Sequence, residues 1–403
     1  MTEGLPVLRR AEATRDELTD FASRLIQAPS VSGDEGRVID VIRSEMLKVG
    51  FDEVTIDGLG NIIGRIGSGR TCIAMDAHID TVDVGRSDLW DHPPFSGVID
   101  ETWVHGRGAS DQKSGMASMV YGMKILKDLE LLDDFTVYVV GSVLEEDCDG
   151  LCWRYLIEEH GLNPDFAVIT EPTSLRINRG QKGRIEFQIR THGRSAHASA
   201  PERGDNAVYA MVKLVSEIEQ LNDRLKVDAF LGKGTIVVSE ITSISPSVNA
   251  VPDHCAVHID RRLTAGETRE TSMAEIRELC ERIGVDAEIV ELTYERTSYT
   301  GTRYAAEKYF PTWVLEEEDP VIQAAVETHR EVFGRNADVS HWDFSTNGTV
   351  ITGVYGIPAV GFGPGDEKYA HAPNERVAID HLIAAAAFYA AFPSIACKTL
   401  ART

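Results

Sequence analysis

Basic residues are in short supply: 40 Lys and Arg stand against 64 Asp and Glu, a formal charge of −24 over 403 residues. A surface that acidic repels phosphate backbones and anionic lipid, so nucleic-acid and membrane-surface roles are set aside. Long apolar runs are missing too. None approaches the ~20 residues that span a bilayer, and Met1-Thr2-Glu3-Gly4 lacks the basic and apolar pattern of a signal segment. Cysteine is sparse. Cys72, Cys148, Cys152, Cys255, Cys280 and Cys397 are scattered, and no second Cys or His pair sits near Cys148 and Cys152 to complete a zinc site. Reduced, structural thiols are expected, and with them a cytoplasmic protein. What remains is 43% hydrophobic and 26% charged, the balance of a globular chain. Its length exceeds what one core usually serves, which predicts two domains.

Periodicity predicts an α/β layer. A helix over Arg15–Ala28 precedes β-rich runs at 54–56, 61–66 and 71–77. Then follow a helix at 114–131, a strand at 136–141, a helix at 151–160 and a strand at 166–170. From about Asn178 to Leu292 the order becomes strand, helix (204–221), strand (235–243), strand (250–263), helix (268–283) and strand (287–292). That β-α-β-β-α-β order is the split arrangement of a small ferredoxin-like domain. After Pro320 the first texture resumes, with a helix to Phe333, a buried strand at 359–362 and an apolar helix at 379–392. The expected fold is an α/β catalytic domain with a mixed central sheet flanked by helices. An inserted ferredoxin-like α+β lid interrupts it, giving boundaries at 1–177, 178–295 and 296–403. Leu315 to Asp319 reads as a solvated turn.

Five segments place acidic or imidazole side chains just after expected strands, where loops leave an α/β sheet and ligands gather. They are Met75 to Asp80, Gly106 to Gly115, Val143 to Asp147, Ile169 to Thr173 and Tyr369 to Glu375. His78 and Asp80 lie two residues apart, so on a strand they share a face, and a carboxylate can fix the tautomer of a metal-bound imidazole. Each segment alone has a plain structural alternative. Asp111 before a helix is often a cap, and Glu145-Glu146-Asp147 can be a solvated acidic turn. Together they supply two His and at least four carboxylates, which suits a pair of divalent cations with mixed N/O ligands.

In this order the motifs His78-Ile79-Asp80, Gly106 to Gly115, Glu145-Glu146, Glu171-Pro172-Thr173 and His371 resemble those of the dinuclear zinc amidohydrolases and metallopeptidases. That family includes acetylornithine deacetylase, succinyl-diaminopimelate desuccinylase, aminoacylase and glutamate carboxypeptidase. The likeness runs from about Asp16 to Pro393. The stretch Glu145 to Trp153, with Asp260-Arg261-Arg262 and Ser345-Thr346-Asn347-Gly348, is similar to a subgroup called selenium-metabolism-linked hydrolases. The resemblance implies that Asp111 bridges two metals, that His78 and Glu171 complete one site, and that Glu146 and His371 complete the other. It implies Asp80 as the residue orienting His78 and Glu145 as the general base. Two zinc ions are implied, with cobalt or manganese as substitutes. Where Gln112 stands the family normally carries Met or another residue, and no loss of metal binding is expected from that change.

Gly193 to Pro201 looks like the family's lid histidine segment. It implies that His197 helps hold an oxyanion, reaching the neighbouring subunit's site in a homodimer built through the lid. Asn249 and Arg262 resemble residues that grip a substrate carboxylate, while Ser345, Thr346 and Gly348 are placed near its end of the pocket. For each, the alternative is ordinary surface or loop hydrogen bonding. His92, His105, His254 and His258 match no family role, Trp90, Trp153 and Trp342 read as packing groups, and the glycines of Gly361 to Gly365 shape the turn that leads to His371. The resulting expectation is hydrolysis of the amide of an N-acyl amino acid or related small carboxylated amide. A dipeptidase or aminopeptidase is the alternative of the same class. A non-catalytic homologue is the alternative of another class, and it predicts a lost ligand, whereas all seven residues of the set are present.

Overall fold

The computed structural model describes residues 6–401, so the Met1–Gly4 segment lies outside the described residues. Among them, a nine-stranded mixed sheet forms the centre of the larger layer. Its path runs Glu53–Ile56, Ile62–Gly67, Phe135–Ser142, Thr71–His78, Phe166–Ile169, Ala359–Gly361, Ile177–Gln181 and Trp313–Val314, with Val339–Trp342 also pairing to Ile177–Gln181. Thr71–His78 is parallel to both of its neighbours, and Ala359–Gly361 is parallel to Phe166–Ile169. These four central strands therefore deliver their C-terminal ends to one edge. Their near-continuous apolar runs, such as the wholly buried Phe-Ala-Val-Ile of 166–169, fit a sheet covered on both faces.

Helices Arg15–Ile26, Lys113–Asp128, Pro320–Phe333 and Ile379–Leu400 supply much of the cover. The last is 22 residues long, past the expected end at Phe392, and it runs through Pro393. It corrects the reading that no stretch is long and apolar enough to span a bilayer: by length and composition this one is, with 67% of its most apolar window buried inside the protein. Phe388, Tyr389 and Phe392 pack there against Phe362 and Phe166. Helices Pro6–Glu12 and Gly36–Val49 were not anticipated. Asp319, expected in a solvated turn, caps Pro320–Phe333 by accepting the Val321 N–H at 2.9 Å.

The smaller layer holds Gly183–His192, Ala207–Arg224, Thr235–Ile244, His254–Leu263, Arg269–Ile283 and Ala287–Glu291 in the expected β-α-β-β-α-β order. Its principal strands lie antiparallel in the spatial order second, third, first, fourth. It has its own apolar core, with Phe187, Ile189, Met211, Leu214, Val257 and Ile276, separate from the core around the large sheet. A hairpin absent from the sequence reading, Thr293–Thr297 with Arg303–Glu307, follows it.

Candidate metal centre

The edge where the parallel strands end collects all five acidic and imidazole segments. His78 closes Thr71–His78, Glu145 and Glu146 follow Phe135–Ser142, Glu171 follows Phe166–Ile169, and His371 lies in the loop after Ala359–Gly361. Asp111 arrives on the loop before helix Lys113–Asp128. Its carboxylate does not cap that helix but spans the two imidazoles. Oδ1 lies 2.9 Å from His78 Nε2, and Oδ2 lies 3.3 Å from His371 Nε2. Around His78 Nε2 stand Glu171 Oε1 at 3.6 Å and Glu145 Oε2 at 3.9 Å. Around His371 Nε2 stands Glu146 Oε2 at 2.9 Å.

Buried contacts hold this arrangement. Glu375 accepts the backbone N–H groups of Ser110 and Asp111 at 2.8 and 2.9 Å and pairs with the buried Arg107 guanidinium at 2.5 Å, fastening the His371 loop to the Asp111 loop. Asp80 accepts from Ser32 Oγ at 2.7 Å and from the backbone N–H groups of Glu145 and Glu146 at 3.2 and 3.1 Å. Its carboxylate is 3.6 Å from His78 Nδ1, and the nearer acceptor is its own backbone carbonyl at 3.0 Å. The strand has ended at His78, so the expected side-chain contact is shared with the main chain. Gln112 is buried, and its amide oxygen accepts from Thr170 Oγ1 at 2.7 Å.

The electrostatics ask for cations. Among the described residues, no Lys or Arg pairs with Asp111, Glu145, Glu146 or Glu171, and Glu145 Oε1 is buried without a hydrogen-bond partner. Burial pushes the carboxyl groups of Glu145 and Glu171 well above their ordinary range and that of Glu146 up as well. Burial disfavours the charged form of His78, yet Glu171, Glu145, Asp111 and Asp80 outweigh it and raise the imidazole. His371, hydrogen-bonded to Asp111 and Glu146, is raised to about 10. Four crowded carboxylates and two imidazoles, four of the six fully or nearly fully buried, form a donor set that fits two divalent cations, with N and O ligands and Asp111 between them.

These groups line a cleft together with Asp149, Arg184, Arg262, Phe344, Ser345, Glu367 and Ala370. Of the remaining expected residues, Arg262 and Ser345 reach it, though Arg262 also makes a two-pronged pair with its neighbour Asp260 at 2.8 and 3.0 Å. Thr346 and Gly348 do not line it: both are buried, and Thr346 Oγ1 donates to Gln181 at 2.6 Å and accepts the Gly348 N–H at 3.0 Å. His197 and Asn249 sit side by side on the exposed surface of the lid, outside the cleft of their own chain, with Ala198 N–H donating to the Asn249 carbonyl at 2.9 Å. Sequence reasoning missed Arg184, Asp149, Glu367 and the role of Glu375. The position of Glu375 within the Tyr369-to-Glu375 segment was the available signal.

Residues 74–394 match a family model described as Peptidase family M20/M25/M40. The chain is 50% identical over 396 residues to uncharacterized protein YgeY of Escherichia coli (strain K12), covering 98% of both. It is 25% identical over 375 residues to succinyl-diaminopimelate desuccinylase of Azoarcus sp. (strain BH72), covering 89% of this chain and 92% of that one. Its fold is similar to the crystal structure of the Bacillus subtilis YXEP protein, described as a dinuclear metal binding peptidase, with a TM-score of 0.70 at 18% identity, covering 96% and 99% of the two chains.

Proposed function

The chain belongs to peptidase family M20/M25/M40 and is a metal-dependent hydrolase, and from that premise we propose that it cleaves the amide of an N-acyl amino acid or related small carboxylated amide. The observation that carries this reading is the buried, unpartnered Oε1 of Glu145, set beside two imidazole–carboxylate groups that share Asp111. In this reading His78 and Glu171 hold one cation, Glu146 and His371 hold the other, and Asp111 serves both. Zinc is the proposed metal, with cobalt or manganese as alternatives. When bound, the pair supplies Lewis acidity toward a carbonyl and acidifies a water molecule.

The chain's own residues do the rest. Glu145 takes a proton at its free Oε1 and passes it to the leaving amine nitrogen, the task of a general base held at the site with one oxygen uncommitted. Asp80 fixes the ring of His78 and, by accepting two N–H groups of the Glu145–Glu146 turn, also sets where the base stands. Ser345 and Arg262 meet the substrate from the cleft wall, and Thr346 and Gly348 support that wall from behind. The chain divides in this reading into catalytic segments 1–177 and 296–403 and a lid over 178–295; the two separate cores support the division, but the strand Ile177–Gln181 pairs within the large sheet, which moves the first boundary to about residue 182.

His197 and Asn249 are assigned to the cleft of a second copy, in a cytoplasmic homodimer joined through the lid. The strand Thr235–Ile244 is one edge of the lid sheet and exposes Val237, Ile241 and Ile244. The test is to incubate zinc- or cobalt-loaded protein with N-acyl amino acids, dipeptides and N-carbamoyl amino acids and read products by mass spectrometry. Chelator-sensitive cleavage of N-acyl amino acids is expected, and Glu145→Ala should keep the metal while losing about 10²–10⁴-fold in turnover. Cleavage confined to dipeptides, or substantial activity surviving in Glu145→Ala, would overturn the reading.

A further inference from the structure

Within Ser345-Thr346-Asn347-Gly348, the side chain of Asn347 is buried and uses every hydrogen-bonding site of its amide. Nδ2 donates to Asp76 Oδ2 at 2.8 Å and to Ser142 Oγ at 3.1 Å. Oδ1 accepts the Gly150 N–H at 2.9 Å and the Cys152 thiol at 3.1 Å. Ser142 Oγ gives its one proton to Asp76 Oδ1 at 2.8 Å, so toward Asn347 it acts as acceptor. A carboxylate on one side and a backbone N–H on the other leave a single orientation for the amide. Asp76 and Ser142 are buried as well, and a buried carboxylate has to be met by donors such as these. Asp76 stands two residues before His78, Ser142 ends the strand that leads to Glu145, and Gly150 closes the loop that bears Glu145 and Glu146. One amide therefore ties both ends of the base-bearing loop to the strand that carries His78.

The first half of that loop has other anchors. Asn61 accepts the Val143 N–H at 3.0 Å, Glu35 that of Leu144 at 3.2 Å, and Asp80 those of Glu145 and Glu146. The far end is drawn back against the turn that follows Asn347. Gly150 has a φ of +74°, and a Cβ there would lie 2.3 Å from Val350 Cγ2, so no side chain can separate the two. Ser345, on the cleft wall, is two residues from the same amide. The base, the strand of His78 and the wall thus share one point of reference. A misplacement of about 1 Å at a reacting group costs on the order of 100-fold in rate, so a clamp of this kind acts on kcat. We propose that Asn347 is a positioning residue for the hydrolysis, holding the Glu145 loop in place relative to His78 and to the Ser345 wall. This rests on the amide-hydrolase reading with Glu145 as base, and adds to it a residue that lies behind the cleft rather than in it.

The test is a double-mutant cycle on zinc-loaded protein with N-acetyl-L-methionine, its rates expressed per bound metal pair. Asn347→Ala is expected to lower kcat by about 30- to 100-fold while changing KM by less than about threefold. Added to Glu145→Gln, whose slow residual turnover is followed by mass spectrometry, it should change the rate by less than about threefold, because groups that act as one unit are not additive. A residue that merely supports the fold would slow both backgrounds alike. That result, or an unchanged kcat per metal pair, would overturn the proposal. Ser142→Ala removes one arm of the clamp and should cost about 3- to 10-fold in the Glu145 background alone. It carries the cycle if Asn347→Ala does not fold or load metal. Hydrogen exchange reads the clamp without turnover: peptides covering 146–152 should exchange about tenfold faster or more in Asn347→Ala, and unchanged protection there would also overturn the proposal. Failure of the hydrolase reading shows elsewhere, as absent turnover of the substrate panel by the protein with Glu145 and Asn347 intact.

Discussion

Gly363 sets how closely the His371 loop can approach the end of Phe166–Ile169. A Cβ built there falls 2.2 Å from the backbone oxygens of both Thr170 and Glu171. Neither can yield without moving Glu171. Gly363→Ala should therefore destabilise the fold by about 1–3 kcal/mol, the usual cost of overpacking, and lower metal content along with turnover. A denaturant melt with metal analysis checks both, and unchanged metal content would separate Gly363 from the site. At this scale the chain was most readable where a residue follows its own strand: His78, Glu145, Glu146 and Glu171 are set by local order alone. Arg184 and the Arg107–Glu375 pair were not readable that way. Their meaning depends on a cross-strand neighbour 78 residues away, or on a partner 268 residues away, and no single-chain spacing rule reports such a contact.

Among the elements, the hairpin Thr293–Thr297 with Arg303–Glu307 shows the same limit. Its strands alternate exposed and half-buried residues and bury no core of their own, so apolar patterning gave no signal. It is held by polar contacts to the larger layer. Tyr294 Oη donates to Asp147 at 3.0 Å, Arg296 pairs with the same carboxylate, and Tyr299 Oη donates to the Gly60 carbonyl at 3.0 Å. Thr300 and Thr302 donate to the Gly58 carbonyl at 2.8 and 2.6 Å. Asp147 follows Glu146 directly, so the hairpin also steadies the turn that bears the base. Tyr294→Phe combined with Arg296→Leu should cost about 1–3 kcal/mol, since one partly exposed ion pair and one hydrogen bond are lost. Faster limited proteolysis of the hairpin should accompany it; unchanged cleavage rates would show that the apolar contacts of Tyr299 and Tyr304 suffice. The helix Ile379–Leu400 was misjudged for the opposite reason. Pro393 signals a stop, but the buried Phe392 and Ala396 on either side of it hold the helix in the core.

For the whole molecule, charge balance makes two further predictions. In metal-free protein the raised carboxyl groups of Glu145, Glu146 and Glu171 and the raised imidazoles of His78 and His371 all favour the protonated folded state. Each contributes stability that is lost as pH rises through its folded value, and for His371 the window runs from 6.5 to about 10. Asp111 is shifted downward, so its contribution is already complete above its ordinary 3.8 and does not oppose the trend. Lys113, pushed down to about 7 by burial, works the other way over the same range, so the ligand set is read from the difference that metal makes: zinc should raise the melting temperature of chelated protein by more at about pH 9 than at about pH 6.5, because cations replace the protons that the ligands hold at the lower pH. A zinc-induced shift that does not grow with pH would argue against the ligand set. The second prediction concerns assembly. His197 and Asn249 are exposed on the lid, on the same domain as an edge strand with exposed Val237 at 53%, Ile241 at 54% and Ile244 at 62%. Edge strands invite pairing with another copy unless charge blocks it. Ile241→Lys places a charge on that edge, far from any proposed ligand, and should convert a dimer to a monomer by light scattering. If His197 serves the partner's cleft, turnover should fall with dimer content, and mixing His197→Ala with Glu145→Ala chains should restore part of it. A monomeric wild type, or an Ile241→Lys monomer with full activity, would leave His197 a lid residue with no part in the reaction.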